Sequence, residues 1–390
     1  MSRVLRNAGG SGVDGYTVEE MNENWERFRD ELQESLREKR YEPSAVRRVL
    51  IPKGGGKHRA LGIPTVRDRV VQTILVLLLE PIFEADFHDE SYGYRPQKQA
   101  YDAIDRLGMH LHYGKTKAIE ADLSNYFDTL DHTRMMKLIS KRVCDGAILA
   151  LIKAILRAPI LEEDQEGKTR HHKTKEGVPQ GGVISPMLAN LYLDALDKGV
   201  NGFAPSKVKM VRYADDFVIA CSPGYEQEVL RRLEVWLERV GLQLNKEKTR
   251  VTDIAQGGSI EFLGFVLNQR LSTRGKPYIN RQASQKSLLN YRDKVRDKLN
   301  HWTLWQRPEN VVIEVNRITR GWGNYFHQGN SMQTFCDMNY WLENRMRRWM
   351  AKKHKTRSRV IYTKFPKDML LHDIGLYMLP TEPRWKTTKA

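Results

Sequence analysis

Asp215 and Asp216 are adjacent carboxylates in Tyr213-Ala214-Asp215-Asp216, set between two β-rich runs, Val208 to Arg212 and Phe217 to Cys221. At the tip of an apolar hairpin two such groups repel, each raises the other's pKa, and without a partner the arrangement costs stability. A divalent metal ion removes that cost. The competing reading is a solvated turn, since Asp is common in turns and water screens it. A third acid, Asp122, ends the run Lys117 to Leu123, which reads as a strand. A carboxylate at a strand's end is aimed with little conformational freedom, as a metal ligand requires; its plain alternative is a helix-capping acid.

The elements that would position these acids are legible in outline. After a glycine-rich turn, Gly9 to Gly15, a charged amphipathic helix is expected from about Val18 to Arg40, ended by Pro43. Val46 to Ile51 and Arg59 to Ile63 read as a hairpin around a glycine-rich turn from Pro52 to Lys57, carrying Lys53, Lys57 and Arg59. Val66 to Phe83 is helical and apolar enough to be expected buried. Asp122 is followed by Ser124-Asn125-Tyr126-Phe127-Asp128 and a helix from about Asp131. Gly177-Val178-Pro179-Gln180-Gly181-Gly182 is a loop, and Ser185-Pro186 reads as the N-cap and first-turn proline of a helix running to about Leu196. Glu226 to Val240 has amphipathic helical spacing, and Leu242 to Thr249 reads as a strand with a lysine-bearing turn.

Composition narrows the partner. The chain has 390 residues, 40% of them hydrophobic, enough for a sizeable core in two or three subdomains. A net charge of +16 points to a polyanion, first nucleic acid and second an anionic membrane surface. The longest apolar stretch, near Val70 to Leu79, is far short of a span of ~20 residues, and the N-terminus lacks a signal peptide's apolar core. Cys144, Cys221 and Cys336 offer neither a disulfide framework nor a Cys-x-x-Cys zinc site, which fits a reducing cytoplasm. His171-His172 reads as a solvated pair in a charged loop. Eight cations fall between Arg345 and Arg359 with no acid among them, including Arg345, Arg347, Arg348, Lys352, Lys353 and Lys355. A solvated helix face usually mixes signs, so this stretch favours a phosphate-tracking surface. Trp302, Trp305, Trp322, Trp341 and Trp349 interleave with that charge, either stacking on bases or filling a core.

Taken together, Gly12-Val13-Asp14-Gly15, Ile51-Pro52-Lys53 through Leu61-Gly62-Ile63-Pro64-Thr65, Ser91-Tyr92-Gly93-Tyr94-Arg95-Pro96, the Pro179-Gln180-Gly181 loop, Arg212-Tyr213-Ala214-Asp215-Asp216 and Phe262-Leu263-Gly264-Phe265 resemble the reverse transcriptases of the group II intron type. Arg320 to Phe326 looks like the maturase-specific thumb of that family. The resemblance implies an α+β right-hand polymerase fold: fingers over 1–110, palm over 111–275, a helical thumb over 280–360 and a tail over 361–390. It implies RNA-directed DNA polymerase activity with two Mg²⁺ ions, Mn²⁺ being a possible substitute, and metal ligation by Asp122, Leu123, Asp215 and Asp216, with Asp122 and Asp215 bridging. It further implies nucleotide contacts from Lys53, Arg59, Asn125, Tyr126, Phe127 and Gln180, a primer grip at Phe262, Leu263 and Gly264, and a nucleic-acid contact from Arg95.

Phe127 matches the aromatic that crowds a ribose 2′-hydroxyl, which favours DNA over RNA synthesis; packing in the core is its alternative. Lys246 or Lys248 would touch the nucleotide or its backbone. The implied partners are an RNA template, a DNA or RNA primer, dNTPs and structured intron RNA, with no membrane, in a bacterial cytoplasm. The sequence also departs from the family pattern: the N-terminal extension is expected to be missing or clipped, and no His-Asn-His endonuclease module is expected. A splicing factor that keeps the palm only as scaffold, and a stand-alone enzyme of a defence or CRISPR-associated system, are the other readings.

Overall fold

A computed structural model describes residues 1–7, 9–54, 57–163, 169–172 and 174–382, without the side chains of Lys53, Lys57 and a few others. The chain forms two compact units. The first comprises Met1–Arg106 and Ile119–Val251, the second Leu107–Ala118 and Thr252–Ala390.

The first unit opens with helices that the sequence reads as one. Val18–Glu23 and Trp25–Arg37 are separate because Asn24 leaves helical geometry, and Thr17 with Glu20 closes a capping box at the first N-terminus. A four-stranded sheet has the order β2-β1-β4-β5, from β1 (Val46–Gly54), β2 (Lys57–Ile63), β4 (Ile160–Glu163) and β5 (Thr169–His172). His171-His172, expected in a loop, is therefore in a strand, where His172 lies 3.6 Å from Glu162. The second sheet has the order β6-β7-β3-β8, from β3 (Lys117–Asp122), β6 (Val208–Tyr213), β7 (Asp216–Cys221) and β8 (Arg250–Asp253).

Helix Ser185–Gly202 packs against β6 of that sheet, and helix Val66–Glu84 packs against Ser185–Gly202. The residues of β6 and β7 are nearly all buried, as expected for apolar strands covered on both faces. Helix Ser185–Gly202 is longer than its sequence suggests, and Ser185 lies inside it. Its hydroxyl goes to the Pro179 carbonyl at 2.8 Å, while the buried Gln72 side chain accepts from the Val183 amide at 2.7 Å. Helix Val66–Glu84 buries one face through Val70, Leu75, Leu79 and Phe83. Contrary to the expectation of full burial, its opposite face keeps Ile74, Leu77 and Leu78 42, 47 and 53% exposed. Their 3-and-4 spacing makes a single apolar stripe.

The second unit has a three-stranded sheet, order β11-β10-β9, from β9 (Ser259–Phe262), β10 (Phe265–Leu271) and β11 (Pro277–Ala283), followed by helices Gln285–Lys298, Pro308–Phe326 and Met332–Lys353. Tyr291, Trp322, Phe326, Phe335 and Trp341 form its aromatic core, with neighbouring ring centroids 4.9 to 6.1 Å apart.

Candidate active site

The acids lie on neighbouring strands of one sheet. β6 and β7 pair from Val208↔Cys221 to Tyr213↔Asp216, leaving Ala214 and Asp215 as a two-residue turn with Asp216 opening β7. Tight hairpins of this kind place a residue at positive φ, where glycine is usual. Here it is Ala214, at φ 59°. A non-glycine residue in that region costs about 1 to 3 kcal/mol and persists only where the surroundings hold it.

The holding group is Arg212, fully buried. It bonds the Ala214 carbonyl at 2.7 Å, Asn190 at 2.9 Å, the Ser91 hydroxyl at 2.8 Å and both oxygens of Asp197 at 2.8 and 2.5 Å. From the other side, the Ser91–Tyr94 segment seats against the turn. Tyr92 donates to the Arg212 carbonyl at 2.8 Å, and a Cβ on Gly93 would lie 2.2 Å from the Ala214 nitrogen, so only glycine fits. Arg95 locks this segment: buried, it pairs with Glu84 at 2.7 Å and bonds the His88 and Ser91 carbonyls at 2.6 and 2.7 Å. Expected to meet nucleic acid, Arg95 instead braces the turn.

Asp122 ends β3, next to β7, and its carbonyl accepts from Asn245 at 2.8 Å. Its carboxylate pairs with Lys248 on the lysine-bearing turn. Burial, then Asp215, Asp122 and Glu120, push the Asp216 carboxyl up to about 7, with Lys248 opposing. Asp216 is exposed, and a bound cation would reverse the part of that shift that comes from Asp215, Asp122 and Glu120. Among the described residues no three His, Cys, Asp or Glu side chains close on a single ion site. Asp122 is drawn onto Lys248, and Mg²⁺ keeps water and substrate phosphates in its shell, so two or three protein carboxylates suffice. An all-oxygen set carrying excess negative charge suits such an ion.

Around the acids opens a polar cleft of about 440 Å³ lined by Arg59, Tyr94, Asp122, Phe127, Gln180 and Asp215, among others. Arg59 reaches from β2 to donate through Nε to the Gln180 side chain at 2.7 Å. The Gln180 carbonyl accepts from Gly62 at 2.7 Å, and Gly181, at φ 120°, sits so near the Gly62 carbonyl that a Cβ would lie 2.5 Å from it. The Pro-Gln-Gly loop also bonds to the turn after Asp122, with Val178 donating to the Phe127 carbonyl at 2.7 Å.

Phe127 is buried in the main core and also lines the cleft. Asn125 takes a left-handed conformation at φ 47° in the cleft wall. Tyr126 buries its ring, hydroxyl on the Ala189 carbonyl at 2.6 Å, and Leu123 buries its side chain, so each offers the cleft backbone only. The Lys53 side chain lies outside the described residues. Tyr94, half-exposed at φ 58°, and Lys248 are cleft residues the sequence did not single out firmly; the Tyr94 hydroxyl is raised by burial and then by Asp215.

Comparison with known proteins agrees with this geometry. The family model described as reverse transcriptase (RNA-dependent DNA polymerase) matches residues 51–267. The chain belongs to the reverse transcriptases. A second model, the group II intron maturase-specific domain, matches residues 290–365, which makes this an RNA-directed DNA polymerase of the group II intron type. Protein YkfC of Escherichia coli (strain K12) is 34% identical over 297 residues, covering 67% of this chain and 76% of that protein. The group II intron-encoded protein LtrA of Lactococcus lactis subsp. cremoris is 30% identical over 303 residues, 61% of this chain and 49% of LtrA. The chain thus spans about half the length of LtrA. Reverse transcriptases work with divalent metal ions. No helix among the described residues is long and apolar enough to cross a membrane.

In the second unit of this reverse transcriptase, the expected primer grip is a tight turn. Leu263 and Gly264 have φ 51° and 78°; the Leu263 carbonyl accepts from the Tyr325 hydroxyl at 3.0 Å and the Gly264 carbonyl from Ser284 at 2.8 Å. Phe262 is buried beneath it. Of the thumb cations, Arg348, Lys352 and Lys355 are exposed. Arg347 is not: buried, it pairs with Glu343 and bonds the Phe365 carbonyl at 2.9 Å. Arg345 is half-buried and donates to the Leu299 carbonyl at 2.9 Å, and Lys353 to Leu304 and Gln306, both at 2.8 Å.

Proposed function

We propose that this reverse transcriptase extends the 3′-hydroxyl of a DNA or RNA primer with dNTPs on an RNA template, in the cleft between Asp122 and Asp215, and that it binds structured intron RNA as a maturase in a bacterial cytoplasm. The observation that carries the reading is convergence: acids from two neighbouring strands, the Arg59 hairpin, the Gln180 loop and Phe127 line one cleft of a single compact unit.

Asp122, Asp215 and the Leu123 carbonyl would hold two Mg²⁺ ions, with Asp216 in support, supplying activation of the primer hydroxyl and stabilisation of the departing pyrophosphate. Arg59 binds the incoming triphosphate; its bond to Gln180 uses Nε, and a guanidinium has further donors in a fork that matches phosphate. Gln180, anchored through Gly62, presents a platform to the sugar and base. Phe127, fixed by core packing, gives a ribose 2′-hydroxyl neither room nor a hydrogen bond. Primer extension on an RNA template tests the proposal: the wild type extends with dNTPs and Mg²⁺, and the Asp215→Ala, Asp216→Ala variant does not. Full activity in that variant, or RNA binding with no metal-dependent synthesis in the wild type, sinks it.

A further inference from the structure

Between helices Gln285–Lys298 and Pro308–Phe326 the chain crosses a short segment holding His301, Trp302, Thr303, Leu304 and Trp305. Trp302 is 75% exposed and Trp305 81%, whereas Trp349 is buried and Trp322 and Trp341 sit in the aromatic core. A tryptophan brings a large apolar surface, and leaving two this open in a folded domain forfeits their burial.

The segment beneath the two indoles is tightly tied. Asn300 accepts from the Thr303 amide at 3.2 Å, and the Thr303 hydroxyl donates to the Lys298 carbonyl at 2.8 Å. The buried Trp349 donates from its ring nitrogen to the Asn300 carbonyl and the Thr303 hydroxyl at 3.2 and 3.0 Å. Lys353 gathers the Leu304 and Gln306 carbonyls, and His301 packs on Trp302 with centroids 4.1 Å apart and ring planes tilted by 41°. The indoles are therefore held out by a braced backbone, and little order has to be gained when something covers them.

What covers them is indicated by charge. Arg345 and Lys353 touch this segment from helix Met332–Lys353, and Arg296 and Arg348 crowd Arg345; burial and then these two cations lower its basicity. Arg296 is paired with Asp293 at 2.7 Å, while Arg348 is exposed, and an exposed cation beside open indoles suits a polyanion. A protein's apolar surface would have to desolvate that cation, whereas a nucleic-acid strand offers a base for each ring and a phosphate for the cation.

We infer that Trp302 and Trp305 are a stacking platform for unpaired bases of RNA, with the exposed Arg348 of the neighbouring helix available to their phosphates. Both rings lie inside the segment matched by the maturase-specific domain, and the choice of RNA rests on the function proposed above. The platform binds single strands, because bases paired in a duplex hide their faces from an indole.

The test is fluorescence anisotropy with the full chain, a fluorescein-labelled oligo(U) RNA, and an RNA duplex of equal length, at one fixed salt concentration. Trp302→Ala with Trp305→Ala should weaken oligo(U) binding about tenfold or more and change duplex binding less than about twofold. Trp302→Phe with Trp305→Phe should recover most of the loss, since a phenyl ring still stacks. Extension of a pre-annealed primer and template should be the same in both variants as in the wild type. Oligo(U) affinity within about twofold of wild type, an equal loss on both probes, or a change in oligomeric state without loss of RNA affinity would each overturn the inference. If the Trp302→Ala, Trp305→Ala variant shows the selective loss yet the wild-type chain never extends a primer, the polymerase proposal fails and the platform stands.

Discussion

At the scale of single residues, Asp122, Asp215, Arg59 and Gln180, singled out in motifs that resemble the family's, line one cleft of the fold. The role of Arg95 was not legible in the sequence. The motif around it predicts a surface cation, but a guanidinium with a carboxylate and two carbonyls within reach is consumed by them, and no local pattern shows that Glu84 stands there. Phe127 joins core and cleft, so its truncation should act on both. Phe127→Ala should cost about 3 to 5 kcal/mol in chemical denaturation and raise ribonucleotide use relative to deoxynucleotide about tenfold or more in kcat/KM. Discrimination left unchanged would reduce Phe127 to packing alone. The acids make a second prediction at this scale. Asp215→Asn with Asp216→Asn removes mutual repulsion, so the metal-free protein should melt higher than wild type, while the rise in Tm on adding Mg²⁺ should shrink.

At the scale of elements, Arg212 decides the shape of the catalytic hairpin. The strands β6 and β7 were plain from their apolar runs, but their buttress was not, because its partners Asp197, Asn190 and Ser91 are scattered along the chain. Arg212→Met leaves Asp197 buried without its counter-charge and should cost about 3 to 5 kcal/mol of stability. Adding Asp197→Leu should return much of that stability without restoring activity, since Ala214 would still lack its anchor. Recovery of both would mean the hairpin holds its own conformation. Two departures from expectation, at Val18 to Arg40 and at Ser185, have local causes: Asn24 leaves helical geometry and splits the first helix, and Ser185 stands inside its helix with its hydroxyl on the Pro179 carbonyl.

At the scale of the whole molecule, a net charge of +16 makes binding of a primer and template duplex an exchange of counterions. Affinity should fall about tenfold or more between low and moderate salt, read as a linear plot of log affinity against log salt. A flat line would contradict the basic thumb. Composition alone carries this prediction, whereas the division of labour among the thumb cations required the fold, because the buried Arg347 is tied to the Phe365 carbonyl, 18 residues on, as well as to Glu343 one helical turn before it.

The apolar stripe of Ile74, Leu77 and Leu78 gives the same charge a colloidal meaning. Copies of a strongly cationic chain keep their distance at low ionic strength, and the stripe stays hydrated. Salt concentrated enough to strip bound nucleic acid shortens the reach of that repulsion to about 3 Å near 1 M and leaves the stripe free to find another like it. The conditions that strip nucleic acid are thus the ones in which self-association is expected, and light scattering should rise with salt in wild type more than in a Leu77→Lys, Leu78→Glu variant.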